Sequence, residues 1–295
     1  MGVRRLSIVA ALMTASLWLP VSDARAEAEV DVALVLAVDV SRSMDPDEQE
    51  LQRQGFIDAF RSPQVQDAIR NGLLGRIIVT YFEWSGVDYQ NVIIPWTIID
   101  GSEAAMKFAD GLHDNPIGRL RRTSISGAID FGVKLLDQTG VEPIRRVIDI
   151  SGDGPNSSGR GVVAARDEAI AKGITINGLP IMLKRPSGFG DMENLDLYYK
   201  GCVIGGEGAF LIPVRERQQF ADAIRTKIIR EIAALSAETQ IQKIQADAPV
   251  NCLEGIAGCI AGTATDAICL PGDAHSSVMP AVLMTFSHLA PSSCM

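Results

Sequence analysis

Histidine is nearly absent from this chain: His113, His275 and His288 are the only three in 295 residues. A histidine-ligated metal centre or a Ser-His-Asp triad in the body of the chain would have to use His113. That residue stands in Gly111-Leu112-His113-Asp114-Asn115-Pro116, where a helix gives way to a loop, and such a place favours a solvated surface histidine. Cysteine is scarce until the end. Cys202 stands alone, and Cys252, Cys259, Cys269 and Cys294 fall in the last 44 residues. Their spacings match no zinc pattern. The odd count leaves at least one thiol free or paired between chains, and the pairing stays open. Basic charge is in deficit, 27 Lys and Arg against 36 Asp and Glu, which excludes a general nucleic-acid surface. No apolar run reaches the roughly 20 residues of a membrane span. Phosphate-loop chemistry is missing too. Ile204-Gly205-Gly206-Glu207-Gly208 has neither G-x-G-x-x-G nor a Walker lysine and precedes a strand, so it reads as a tight turn.

What is there begins with a targeting segment. Arg4 and Arg5 precede the apolar stretch Leu6 to Leu19, and Ala24-Arg25-Ala26 supplies an A-x-A cleavage site after Ala26. Residues 1–26 carry three arginines and one aspartate, so their removal moves the net charge from −9 to −11. The expectation is an exported protein, periplasmic or secreted, with no transmembrane span after signal removal. Disulfides can persist in that setting.

Apolar strands then alternate with amphipathic helices. Val32-Ala33-Leu34-Val35-Leu36-Ala37-Val38 is an unbroken apolar run, the mark of a strand buried on both faces. Helices are expected at Pro46–Phe60, Gln64–Ile69, Ser102–His113, Ser126–Gln138, Gly161–Lys172, Glu193–Lys200 and Arg215–Ala234. Strands are expected at Arg76–Trp84, Gln90–Thr97, Arg146–Ile150, Ile174–Leu179 and Ala209–Val214, with Cys202 beginning or preceding a buried strand. The short link Ser85-Gly86-Val87-Asp88 makes Arg76–Trp84 and Gln90–Thr97 an antiparallel pair. Glu83 and Trp84 would border the strand-end site or lie on an exposed edge. The pattern predicts an α/β fold, a doubly wound, mostly parallel sheet with one antiparallel strand, in a domain spanning 30–235. From residue 236 the chain turns Gly/Ala/Ser-rich and reads as a linker and cysteine-containing tail.

Three strand-end loops carry the chemistry: Asp39, Ser41 and Ser43 in Asp39-Val40-Ser41-Arg42-Ser43; Thr123 in Arg121-Arg122-Thr123-Ser124; and Asp153 in Ser151-Gly152-Asp153-Gly154-Pro155-Asn156. Alone, each of these residues would serve as a turn or helix-cap residue. Together they form an oxygen-rich set suited to a hard cation, placed where open α/β sheets bind ligands.

With these residues the chain resembles the von Willebrand factor A family, over about Val30 to Leu235. In that family D-x-S-x-S, a later Thr and a later Asp form a metal-ion-dependent adhesion site. Tyr81-Phe82-Glu83-Trp84-Ser85, Asp153-Gly154-Pro155-Asn156 and Cys202-Val203-Ile204-Gly205-Gly206 look like an exported bacterial branch carrying a domain of unknown function. The resemblance implies a six-stranded sheet with an antiparallel edge strand, and Mg²⁺, or Mn²⁺ in its place, held by Asp39, Ser41, Ser43, Thr123 and Asp153. Ser41, Ser43 and Thr123 would bind directly and the two aspartates largely through water. The implied function is non-enzymatic: a protein partner presenting an Asp or Glu completes the metal sphere. Two alternatives stand beside it, a metal-assisted hydrolase using Asp39 as base or nucleophile, and a metal-bound scaffold without a partner.

Overall fold

The computed structural model describes residues 28–184, 192–233 and 250–253. The expected signal segment, the last part of the tail and Cys259, Cys269 and Cys294 lie outside them.

The apolar run forms β1 (Glu29–Asp39), flanked by β2 (Ile77–Trp84) and β4 (Glu142–Gly152), both parallel to it. A strand enclosed on both edges and both faces is apolar through its middle, here 32–38, and every β1 residue after Glu29 is buried. Val32, Leu34, Leu36 and Val38 point into a core shared with α1 (Pro46–Arg61), α3 (Ser102–Asp114) and α7 (Phe220–Ala233). Ala33, Val35 and Ala37 point the other way, toward α4 (Ile125–Leu136), α5 (Val162–Ala171) and α6 (Leu195–Tyr198). The short helix α2 (Pro63–Arg70) extends the first layer. With β3 (Gln90–Ile99) antiparallel to β2, and β5 (Ile174–Pro180) parallel to β4, the order is β3-β2-β1-β4-β5. The doubly wound sheet with an antiparallel edge strand is as expected.

Among the described residues the sheet has five strands, not six. The segment expected as a sixth strand, 209–214, runs beside β5 but touches it only through two isolated parallel bridges, Gly178↔Leu211 and Ile181↔Val214. The cause is Pro180. Ile212 N–H donates to Gly178 O and Val214 N–H to Pro180 O, but continuing the ladder needs an N–H at residue 180, and proline has none.

Two helices also depart from expectation. The last begins at Phe220 rather than Arg215, after a 3₁₀ turn at Arg217–Gln219. The helix expected over Glu193–Lys200 is a single turn, Leu195–Tyr198, running into a π turn at Tyr199–Val203. Cys202 therefore sits in a helical turn rather than at a strand. It is buried and disulfide-bonded to Cys252, which ties residues 250–253 back onto the domain. Closing a loop over 50 residues of sequence separation stabilises by about 2–4 kcal/mol. Cys252→Ser is expected to lower the melting temperature and remove its sensitivity to reductant; an unchanged melting temperature under both conditions would refute that role.

Two buried charge clusters brace the sheet. Arg53 on α1 pairs with Glu83 on β2 at 2.5 Å, donates to Leu112 O and Asn115 O, and stacks over Tyr81. Glu83 and Trp84 are thus interior rather than an exposed edge, and Glu83 Oε2 accepts from Gly118 N–H, pinning the chain between α3 and α4. On the other side of the sheet's centre, Lys227 of α7 lies 2.9 Å from Asp149 Oδ1 and 2.6 Å from Glu231 Oε1, with all three fully buried. Burial pushes the Asp149 carboxyl up to about 7, with Lys227 opposing the rise.

Candidate metal centre

At the end of β1 the chain turns sharply. Ser41 N–H donates to Asp39 Oδ1 at 2.7 Å, an Asx turn that keeps one aspartate oxygen facing its own backbone. Val40 is stitched between its neighbours, taking Trp84 O through its N–H and giving its carbonyl to Leu120 N–H. Met44 N–H returns to Ser41 O, and α1 then begins with Pro46 at its first position. Glu48 accepts from Asp45 N–H at 2.9 Å, so it is a buried capping residue at the helix start.

The motif's hydroxyls form a chain. Ser41 Oγ and Ser43 Oγ lie 2.7 Å apart, and Ser43 Oγ donates to Asp153 Oδ1 at 2.6 Å. Residues 110 apart in sequence thereby meet across the ends of β1 and β4. Asp39 belongs to the same cluster through charge: burial pushes its carboxyl well above the usual range, and Asp153 pushes it further. Burial raises Asp153 to about 6, opposed by the Ser43 hydroxyl and the Lys184 ammonium, with the Glu48 carboxylate adding to the rise.

Thr123 is reached through the backbone. Its carbonyl accepts from Ser157 N–H at 2.8 Å and Ser158 N–H at 3.1 Å, fastening its loop to the one that follows β4. A parallel bridge, Ser41↔Leu120, fastens the same loop to the motif after β1. The Thr123 side chain is buried and its hydroxyl has no hydrogen-bond partner among the described residues. Asp39, Ser41, Ser43 and Asp153 are thus joined directly, and Thr123 stands on the loop clasped between them.

The donor set suits a hard divalent cation. Asp39 is fully buried, yet among the described residues its Oδ2 has no partner, and the buried Tyr199 hydroxyl is likewise unmatched. Each such atom costs about 1–3 kcal/mol when left unsatisfied, and a pair of them calls for water or an ion. Gly152 keeps the space open: a Cβ there would stand 2.9 Å from Asp39 Oδ2 and 3.1 Å from the Tyr199 oxygen. Among the described residues no three His, Cys, Asp or Glu side chains gather as a metal cluster, so the candidate centre is two carboxylates with hydroxyls. Neutral oxygens with few carboxylates fit Mg²⁺ and Mn²⁺ better than zinc.

The sequence did not disclose Tyr199, Gly152 or Lys184. Lys184 closes the far side, donating to Ser43 O and pairing with Glu48 at 2.7 Å. No local pattern marks these residues; packing alone brings them in. His113 stays exposed on α3.

Residues 29–236 match the family described as "Protein of unknown function (DUF1194)". The chain belongs to that family. No curated protein matches it. Among solved structures it is similar to the pilus adhesin SpaC from Lactobacillus rhamnosus GG in its open conformation, with a TM-score of 0.52 and 11% identity over 71% of this chain and 31% of that one. A von Willebrand factor type A structure from Catenulispora acidiphila gives a TM-score of 0.49 and 14% identity over 70% and 43%. Proximal thread matrix protein 1 from the mussel byssus, with a zinc-occupied MIDAS motif, gives 0.48 and 14% over 70% and 48%. The chain spans between about a third and a half of these proteins, and at such identities the likeness concerns the fold. That fold, a mostly parallel sheet with helices on both faces and one antiparallel edge, is what the likeness to the pilus adhesin rests on.

Proposed function

We propose that this protein is an exported, metal-dependent protein-binding module. Ser41, Ser43 and Thr123 would hold Mg²⁺, or Mn²⁺ in its place, with Asp39 and Asp153 engaged largely through water. When bound, the cation supplies an electrophilic position that a carboxylate of a protein partner fills. The carrying observation is the buried, unpartnered Asp39 Oδ2 beside the Ser41–Ser43–Asp153 hydrogen-bond chain.

The protein's own residues do the preparatory work. The Asx turn aims Asp39, Gln49 Nε2 holds Ser41 O at 3.2 Å, and Gln52 bonds Ser151 at the end of β4. With neutral hydroxyls as the direct ligands and both aspartates engaged largely through water, the cation would stay electron-poor and receptive. The strand-end loops carry no histidine to act as a general acid, which supports binding over hydrolysis. Among the described residues no helix is long and apolar enough to cross a membrane, which is compatible with an exported domain.

The direct test is a pull-down from envelope extract with the full chain. Wild type is expected to retain a protein partner in Mg²⁺ and release it in EDTA, with Ser41→Ala retaining none. Capture indifferent to both EDTA and the substitution would refute the reading.

A further inference from the structure

Beside the candidate centre lies a pocket of about 460 Å³ lined by four arginines: Arg42, Arg119, Arg121 and Arg122. All four are exposed, in a chain whose net charge is −9. Of the other described arginines, eight of twelve hold carboxylates, among them Arg53 with Glu83, Arg146 with Asp137, Arg160 with Asp130 and Glu168, and Arg215 with Asp196, whereas Arg76, Arg145, Arg217 and Arg230 do not. The four in the pocket have no side-chain hydrogen bond or ion pair with any described residue. Asp88 shares the lining and pairs with none of them.

Their placement is tied to the centre. Arg42 is the middle residue of Ser41-Arg42-Ser43, so its backbone belongs to the motif. Arg119, Arg121 and Arg122 lie on the loop that leads into Thr123, joined to the motif by the Ser41↔Leu120 bridge. Arg122 has φ of 73°, the left-handed region a long side chain seldom enters, and it is the only described non-glycine residue there. Ser85 enforces it, reaching Arg121 O at 2.9 Å and Arg122 O at 2.8 Å, with Ser124 N–H bound to Ser85 O at 2.7 Å. A glycine would relieve that strain; the arginine side chain stands toward the pocket instead. The opposite flank is different, because Lys184 is already neutralised by Glu48 and Asp45.

We infer that the partner docks through an acidic peptide segment, one carboxylate at the metal and its neighbours on these arginines. This inference rests on the binding function proposed above and extends it. Guanidinium groups pair bidentately with carboxylates. The pocket volume is that of a site for a few residues rather than a long polymer. Val87, Leu120 and Tyr89 add apolar lining, which suits a peptide better than a bare polyanion, and the negative charge of the rest of the chain repels nucleic acid.

Fluorescence anisotropy on the full chain in Mg²⁺ tests this with two labelled peptides, one carrying a single aspartate among glycines, the other four consecutive acidic residues. Wild type is expected to bind the tetra-acidic peptide about tenfold more tightly, since each added surface pair contributes modestly. The preference should shrink as salt rises. In Arg119→Gln/Arg121→Gln, and separately in Arg42→Gln, the preference should fall several-fold while single-aspartate binding and its loss in EDTA persist. The inference is overturned if the variants keep the full preference, if neither peptide binds, or if a sulfated oligosaccharide or single-stranded DNA of equal charge binds wild type more tightly. Persistence of the arginine-dependent preference in EDTA would overturn the metal-dependent function while leaving the acidic-segment surface standing.

Discussion

Addition of Mg²⁺ to the metal-free protein is expected to raise its melting temperature by about 5–10 °C, and Asp39→Ala to abolish the rise. The size follows from linkage. A ligand at a hundred times its dissociation constant stabilises the folded state by about 2.7 kcal/mol, and each kcal/mol moves a domain of this size by about 2–4 °C. Asp39 is decisive because its Oδ2 is buried with no partner among the described residues, so an ion-centred shell is the interaction it lacks. Its removal costs the metal-free fold one hydrogen bond, to Ser41 N–H, and takes away a carboxyl that burial penalises. The variant is therefore expected to fold. Mn²⁺ should act like Mg²⁺, since an oxygen donor set suits both. Differential scanning fluorimetry decides it: equal shifts in wild type and Asp39→Ala would remove the case for this centre.

Lys227→Met should destabilise the protein by about 3–5 kcal/mol, because it strands two buried carboxylates, Asp149 and Glu231, without their cation. The same cluster sets a pH dependence. The Asp149 carboxyl ionises near 7 in the folded protein, against 3.8 ordinarily, and burial is the main cause. A group raised in this way contributes stability that is fully present below its ordinary value and is lost as pH climbs through the folded one. Metal-free protein should accordingly lose stability between pH 5 and pH 8, by an amount on the order of a few kcal/mol or less. Asp149→Asn, which cannot ionise, should flatten that slope. Urea denaturation across the range checks both statements. Stability that rises toward pH 8 in wild type, or a slope unaltered in Asp149→Asn, would contradict the assignment, as would Lys227→Met unfolding at the wild-type midpoint.

Much of the fold was legible because its causes are local or periodic. The apolar run 32–38 could only be an enclosed strand, and the short link after Ser85 could only return the chain antiparallel. The strand-end motif was legible for the same reason, since a polar turn after a buried strand places its oxygens at the sheet's rim. The sixth strand was misread because residues 209–214 are apolar enough, while the obstacle lies in the neighbour: Pro180 withholds the N–H that the ladder needs. Cys202 was misread because helical and strand turns share its apolar surroundings, and only its approach to Cys252 identifies its role.

The amino-acid sequence by itself determined the doubly wound α/β architecture and the presence of three oxygen-bearing loops, because hydrophobic period and turn chemistry act over neighbouring residues. Only the tertiary structure decided that Ser43 meets Asp153 and, among the described residues, that Asp39 Oδ2 and the Tyr199 hydroxyl lie buried and unmatched together and that four arginines remain without acidic partners beside them. Those are relations between residues far apart along the chain. They exist once the parallel register sets β1 beside β4, and no local interaction encodes them.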